Sequence, residues 1–180
     1  EVIRIDKLSG SEDRYLVPVA ESGEGPLFLA LNRNKKSLTL NPMKSQGREI
    51  VENLVKTADI VIANLPQPTL EAMGIDYDSL RAIKPDIILT TVTAYGNGGP
   101  YSERVGFDGV AQALAGATYM GGRPGDPMKS FVPFADFGTA TMAAFGTLSA
   151  LIERNKTGNG QLVEAALTRT VMAFNIALLA

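Results

Sequence analysis

One carboxylate stands apart by its setting. Asp136 closes the apolar run Ser130-Phe131-Val132-Pro133-Phe134-Ala135, and a long helical pattern opens beside it at Phe137-Gly138-Thr139-Ala140 and runs to Arg154. The pattern predicts a strand-to-helix junction with Asp136 at the N-terminal end of the helix. There the first backbone N–H groups lack helical partners and the dipole is positive. Such a place keeps a carboxylate ionised, and its N–H groups are candidates to hold an oxyanion formed alongside. Two roles are open. Asp is a preferred N-cap, and capping is all that most such residues do. Against this, Phe131, Val132, Pro133, Phe134, Ala135 and Phe137 would surround the charge with apolar surface, where an idle carboxylate is costly.

The rest of the composition narrows the chemistry. The 180 residues include no Cys and no His. That removes disulfides, thiol nucleophiles, the usual zinc sites and the usual general base, and no metal is expected. Acid–base or nucleophilic work falls to Asp, Glu, Lys, Tyr, Ser or Thr. A net charge of −2 with a pI near 5.2 points away from a nucleic-acid surface. The lack of Cys fits a reducing compartment, so a cytoplasmic location is expected. With 45% hydrophobic and 20% charged residues, residues 1–180 suit one globular domain. The longest apolar run, Met142 to Ile152, carries Gly146, Thr147 and Ser149 and reads as a buried helix, too short for a membrane span. The chain opens on Glu1-Val2-Ile3-Arg4-Ile5-Asp6 with no initiator Met or signal-peptide pattern, and closes inside an apolar helical pattern, Val171 to Ala180. Both ends are expected to be cut from a longer protein.

The elements that must position Asp136 follow from periodicity and punctuation. Val2 to Ile5 is predicted as a strand, Lys7 to Pro26 as a surface loop, and Leu27 to Leu31 as a brief apolar segment. The basic turn Asn32-Arg33-Asn34-Lys35-Lys36 feeds a strand from Ser37 to Leu40; it is either a solvated loop or a cationic lip for phosphates. Gln46 to Thr57 reads as an amphipathic helix with Ile50, Leu54 and Val55 on one face and Ser45 as its cap. Asp59 to Ala63 is a buried strand. Pro66 and Pro68 argue against regular structure before Thr69 to Met73, and Tyr77 to Ile83 is a helix capped by Asp76 or Asp78. Asp86 to Thr93 is a third strand, Phe107 to Ala115 a helix, Tyr119 to Lys129 a loop, Gln161 to Ala165 a strand, and a last helix starts near Leu167. The helix after Asp136 carries many small residues, suited to close packing, and stops at Thr157-Gly158. Strands alternating with helices predict an α/β fold, a Rossmann-like parallel sheet with helices on both faces. Ligands of such sheets sit beyond the carboxyl ends of the strands. The loops leaving those ends are Asn64 to Pro68, Ala94 to Pro100 and the Lys7 loop; Gly96-Asn97-Gly98-Gly99-Pro100 is a tight turn that lets a ligand approach the backbone.

Taken in order, several segments resemble the family III CoA-transferases, the group of formyl-CoA and carnitine CoA-transferases and of alpha-methylacyl-CoA racemase. They are Val2 to Asp6; Asn32 to Leu38; Ala58 to Val61 with Asn64 and Met73-Gly74; Pro100-Tyr101; Gly106 to Asp108 with Ala111-Gln112-Ala113; Ala135-Asp136; and Lys156 to Gly158 with Gly160-Gln161. The resemblance implies that Asp136 is the nucleophile and that coenzyme A, carried as a substrate, lies along the strand ends. It places Lys7 where a phosphate-contacting Arg is usual, Leu40, Asn64, Leu65 and Pro66 on the adenosine-side wall, and Val105, Gly106, Phe107 and Asp108 beside the pantetheine and thioester. The chain departs from the pattern at Leu65, in place of a common aromatic, at Ala72, often basic, and at Met43, a usual Lys with Lys44 adjacent. The resemblance also implies a protein about twice as long, with an opening strand and a C-terminal half that carries a glycine-rich shielding loop, and an interlocked homodimer of such chains.

The implied activity is transfer of CoA from an acyl-CoA thioester to a free carboxylic acid through a covalent aspartyl intermediate, a route that needs no His. Two alternatives stand beside it. One is an acyl-CoA racemase on the same fold. The related racemases have Gly-His-Asp where this chain reads Gly106-Phe107-Asp108, and Phe cannot serve as the base for an α-proton. The other is a CoA-binding protein without turnover.

Overall fold

The computed structural model describes residues 1–16, 18 and 20–176; residues 17, 19 and 177–180, which fall in the predicted Lys7 loop and the closing apolar helix, lie outside the described residues. The chain divides into two compact units, Glu1–Val51 and Glu52–Ala180.

In the first unit β1 (Ile3–Asp6) and β2 (Lys36–Thr39) pair in parallel, Ile3 opposite Lys36 and Asp6 opposite Thr39. The segment between them is more ordered than a surface loop. It holds a 3-10 turn, Glu12–Tyr15, and a short helix, α1 (Pro26–Leu31), which starts on a proline whose fixed φ suits a first helical position. Charge pairing folds this stretch. Arg4 donates from Nε and Nη2 to Asp6 at 3.0 Å and from Nη1 and Nη2 to both oxygens of Asp13 at 2.8 Å. The guanidinium of Arg14 lies 4.0 Å from the centre of the Phe28 ring. The basic turn before β2 carries Asn34 at φ 65°, a left-handed conformation that Asn tolerates.

Helix α2 (Ser45–Val55) starts on Ser45 itself, one residue before the predicted start. Its inward row is Gly47, Val51 and Val55 at four-residue spacing, and Ile50, predicted to face inward, is 43% exposed.

The second unit is built on a parallel sheet of β3 (Ile60–Ala63), β4 (Ile88–Thr93) and β5 (Leu162–Ala166), in the order β3-β4-β5, flanked by helices. The central strand buries Ile88, Leu89, Thr90 and Thr91, as a strand covered on both faces must. Between β3 and β4 run α3 (Gln67–Met73) and α4 (Tyr77–Ile83). Pro68 does not forbid α3: it sits in the first turn, where a missing N–H has no helical acceptor to lose. Asp76 is the cap of α4, accepting from Ser79 N at 3.1 Å.

Between β4 and β5 lie α5 (Asp108–Leu114), α6 (Ala117–Met120), which overlaps the start of the predicted loop, and α7 (Phe134–Thr157). Helix α7 packs on β4, on β5 and on α8 (Leu167–Phe174). Thr147 and Thr90 bond through their hydroxyls at 2.6 Å, and Thr139 donates to Thr170 at 2.9 Å. Gly138 lets α8 close in: a Cβ there would stand 2.6 Å from the Phe174 ring. Ala94, Ala111, Ala115, Ala135, Leu167 and Val171 form one buried cluster, so the end of β4 and the starts of α7 and α8 share a core.

Candidate active site

No strand leads into Asp136. Residues 131 and 132 form a bend, Pro133 takes the N-cap position, and α7 begins at Phe134, three residues ahead of the predicted Phe137. Asp136 is therefore the third residue of the helix and does not cap it. The cap comes from another element. Asp108, the first residue of α5 and only 7% exposed, accepts through Oδ2 from the backbone N–H of Ala135 at 2.8 Å and of Asp136 at 3.1 Å. Its Oδ1 accepts from the Gln112 side chain one turn along α5, and Gln112 Oε1 in turn accepts from Ser130 N at 2.8 Å. This i, i+4 Asp–Gln pair holds both sides of the entry to α7. Asp108 was predicted only as a wall of the pantetheine site; its spacing to Gln112 at a helix start was the local signal of a clamp, and the helix that it caps lies far along the chain.

The clamp corrects a second expectation. The first N–H groups of α7 were candidates for an oxyanion site, and all four are engaged: Phe134 N donates to Val132 O at 2.8 Å, Ala135 and Asp136 to Asp108, and Phe137 N to Pro133 O at 3.2 Å. The predicted apolar enclosure also differs. Phe131 is 97% exposed, and Val132 and Phe137 are exposed too, because α7 turns Ala135 and Thr139 inward and leaves its third and fourth residues on another face. The Asp136 carboxyl accepts no hydrogen bond from a described residue. Partial burial, and then the negative charge of Asp108, raise its pKa above the ordinary value.

The segment before Asp108 meets the same spot. Gly106 lies against the end of β4, where a Cβ would stand 2.7 Å from Ala94 Cβ and 3.2 Å from the Tyr95 hydroxyl. With Gly106 seated there, Val105 and Phe107 project outward, Phe107 74% exposed, while Asp108 points in. Val105 to Asp108 and Asp136 thus gather where β4 ends and α7 begins. Asn64 directly follows β3 on the same carboxyl edge and is exposed; Leu65 is half-buried, and Pro66 is the N-cap of α3. Lys7 and Leu40 belong to the first unit, after β1 and β2. Lys7 lines an open polar depression of about 330 Å³ with Asp6, Arg14, Ser37 and Thr39, and its Nζ is engaged by Glu12 at 2.8 Å. Leu40 donates its N–H to Asp6 O at 2.9 Å. Among the described residues no group of His, Cys, Asp and Glu is placed to hold a metal, and no helix is long and apolar enough to cross a membrane.

Comparison with known proteins gives consistent matches. A model of CoA-transferase family III matches residues 1–178. An acyl-CoA transferase of Fusarium pseudograminearum is 35% identical over 183 residues, covering 96% of this chain and 40% of that protein. The human succinyl-CoA:glutarate CoA-transferase is 33% identical over 175 residues, again covering 96% of this chain and 40% of that protein. Among solved structures, a CAIB/BAIF family protein from Brucella suis superposes with a TM-score of 0.91 at 36% identity, over 98% of this chain and 48% of that one. The chain thus spans less than half the length of these relatives.

Proposed function

The chain belongs to CoA-transferase family III, and we propose on that footing that it is part of an enzyme that moves CoA from an acyl-CoA thioester to a free carboxylic acid, with Asp136 as the nucleophile. One observation carries the assignment of the residue. Asp136 is a carboxyl with no donor of its own, at the point where the thioester-side segment Val105–Asp108 meets the start of α7. An acid left unpaired beside another acid is available for chemistry, whereas a fully bonded one is part of the scaffold.

The steps balance without an external base. The ionised Asp136 attacks the thioester carbonyl; the C–S bond breaks, CoA leaves as thiolate, and a mixed anhydride remains on the aspartate. The thiolate attacks the aspartyl carbonyl, the donor acid departs as carboxylate, and an aspartyl-CoA thioester is left. The acceptor carboxylate attacks that thioester and expels the thiolate, which attacks the acceptor's acyl carbonyl to give the new acyl-CoA and free Asp136. Every nucleophile and every leaving group in these steps is an anion, so no proton has to move. The N–H groups of α7's first turn are committed to Asp108 and to carbonyls, so donors to the oxyanion come from elsewhere. The positive end of the helix still favours the charge that develops there.

In this reading the CoA runs along the carboxyl edge of the strands. By the resemblance, Leu40, Asn64, Leu65 and Pro66 take the adenosine-side role, Lys7 that of a phosphate contact, and Val105 to Asp108 lie beside the thioester. Lys7 would have to exchange Glu12 for a phosphate. The resemblance further supports an interlocked homodimer of full-length chains, and the lack of Cys a cytoplasmic setting.

The test uses the full-length protein with a panel of acyl-CoAs and acids in deuterated water. CoA transfer without α-deuterium in recovered acyl-CoA is expected. Fast α-exchange with inversion and no transfer would favour a racemase, and CoA binding with neither reaction a protein without turnover; either result overturns the proposal.

A further inference from the structure

Arg169, in the first turn of α8, is an exposed guanidinium that makes no ion pair or hydrogen bond with a described residue. Its position is nevertheless defined. Measured from where a Cβ on Gly96 would sit, Arg169 Cζ and Nη2 are at 2.9 Å and Nε at 3.1 Å. Three atoms of one plane at nearly equal distance put that Cβ position over the face of the guanidinium, on its Nε–Nη2 side. The Nη1 end is then the one farther from the glycine. Gly96 is at φ +77°, a conformation that favours glycine, and its own N–H is held by Thr93 Oγ1 at 3.0 Å, so the platform is fixed.

The acid nearest along the chain, Glu164 on β5, does not answer this charge: it accepts from the Asn97 side chain. Nor does Asp136, whose carboxyl is shifted upward by burial and by Asp108, with no lowering by a cation. Yet Arg169 stands on the elements that form the site. Thr168 N bonds Ala94 O at 3.0 Å at the end of β4, and Thr170 takes a hydrogen bond from Thr139, which is three residues along α7 from Asp136. The guanidinium is thus a neighbour of the proposed reaction centre without being in contact with it.

Sheet order decides what anion it would meet. Asn64, Leu65 and Pro66, assigned to the adenosine side, follow β3, and Arg169 follows β5, two strands away and about 10 Å across the sheet. We propose that Arg169 is a specificity-determining residue that binds the distal carboxylate of a dicarboxylic substrate whose other carboxyl reacts at Asp136. The planar fork of a guanidinium matches a carboxylate with two parallel hydrogen bonds, and a monocarboxylic acid of the same length offers it nothing. This rests on the reading of Asp136 as the nucleophile.

The experiment compares glutarate with valerate, acids of equal chain length, as acceptors from one acyl-CoA donor, using full-length wild type, Arg169→Ala and Arg169→Lys. Wild type should favour glutarate. In Arg169→Ala the ratio of kcat/KM for glutarate to that for valerate should fall by about 10- to 100-fold, mostly through the KM for glutarate. Arg169→Lys should recover part of it, having the charge without the fork. An unchanged ratio in Arg169→Ala, equal losses for both acids, or a wild type that prefers valerate would overturn the inference while leaving CoA transfer intact. A wild type that transfers CoA to neither acid nor to any other would instead remove the reading on which it rests.

Discussion

Asp6 in the first unit and Asp136 in the second are the same residue in opposite circumstances. Asp6, 4% exposed, is surrounded by donors: Arg4 by two hydrogen bonds, Arg14 and the Ser11 hydroxyl. Its carboxyl is held below its ordinary pKa, by the Arg4 hydrogen bonds first. Asp136 has no donor among the described residues and a second acid, Asp108, beside it, and its pKa is raised. A saturated carboxylate ties segments together and has no free lone pair to attack with. An unsaturated one contributes little to the scaffold and keeps its reactivity. On the proposed function the difference separates a structural acid from a chemical one, and the buried one is the structural one.

The largest effect expected from this contrast is on turnover. In the full-length protein, Asp136→Asn should lower CoA transfer by about 10⁴-fold or more, because the amide cannot form the anhydride. Assays of transfer with matched melting curves check this, and normal turnover in the variant would break the contrast at its functional end.

Next comes stability at the other acid. Asp6→Ala should cost about 3 kcal/mol, since it leaves two part-buried guanidinium groups short of a partner, though Arg4 keeps Asp13. The urea midpoint measures it. The pH dependence has a definite sign. Asp6 has a lowered pKa in the folded chain, so its contribution is present above the ordinary Asp pKa and is lost as pH falls through the lowered value. Asp6→Ala should flatten that part of the acid unfolding curve.

The clamp at Asp108 sharpens the comparison from a third side. Asp108→Ala strands the N–H groups of Ala135 and Asp136 and the Gln112 amide, for about 1–3 kcal/mol by denaturant unfolding. Asp108→Asn retains an acceptor but removes a negative charge. The pKa of Asp136 should then fall, and since the proposed nucleophile is the ionised form, the rise of kcat/KM with pH should move to lower pH. An unmoved limb would mean that Asp108 does not act on Asp136 through its charge.

The smallest effect is the most discriminating. A raised pKa means that the folded chain holds the Asp136 proton more tightly than the unfolded one does, so stability falls as pH rises through that value. Replacing Asp136 by Asn should accordingly leave stability within about 0.5 kcal/mol of wild type at neutral pH, because the residue is exposed and solvent screens its repulsion by Asp108. A loss as large as that of Asp6→Ala, read from the same unfolding curves, would make Asp136 structural.

Legibility in the sequence followed the range of the interactions. Helix α4 from Tyr77 to Ile83, the stop at Gly158 and the start at Leu167 rest on neighbours within a turn, and they form where the pattern places them. The parallel strand order follows from helices alternating with strands. The turn at Glu12–Tyr15 was hidden, because it depends on Arg4 reaching Asp13 across the loop. At the site, the sequence singles out Asp136 for its setting, and the fold gives it a different one. The pattern suggested an N-cap wrapped in aromatics. The fold gives the cap to Asp108, 28 residues earlier, and turns Phe131 outward. Arg169 carried no local signal, because its partner surface is the backbone of a glycine on another strand's exit loop.

The most direct test of the central claim is mass spectrometry of the full-length protein incubated with acyl-CoA and then digested. The account predicts that the peptide containing Asp136 gains the mass of CoA less water, as an aspartyl thioester, and that the gain vanishes in Asp136→Asn. Turnover with the label on another residue, or with no covalent label at all, would contradict it.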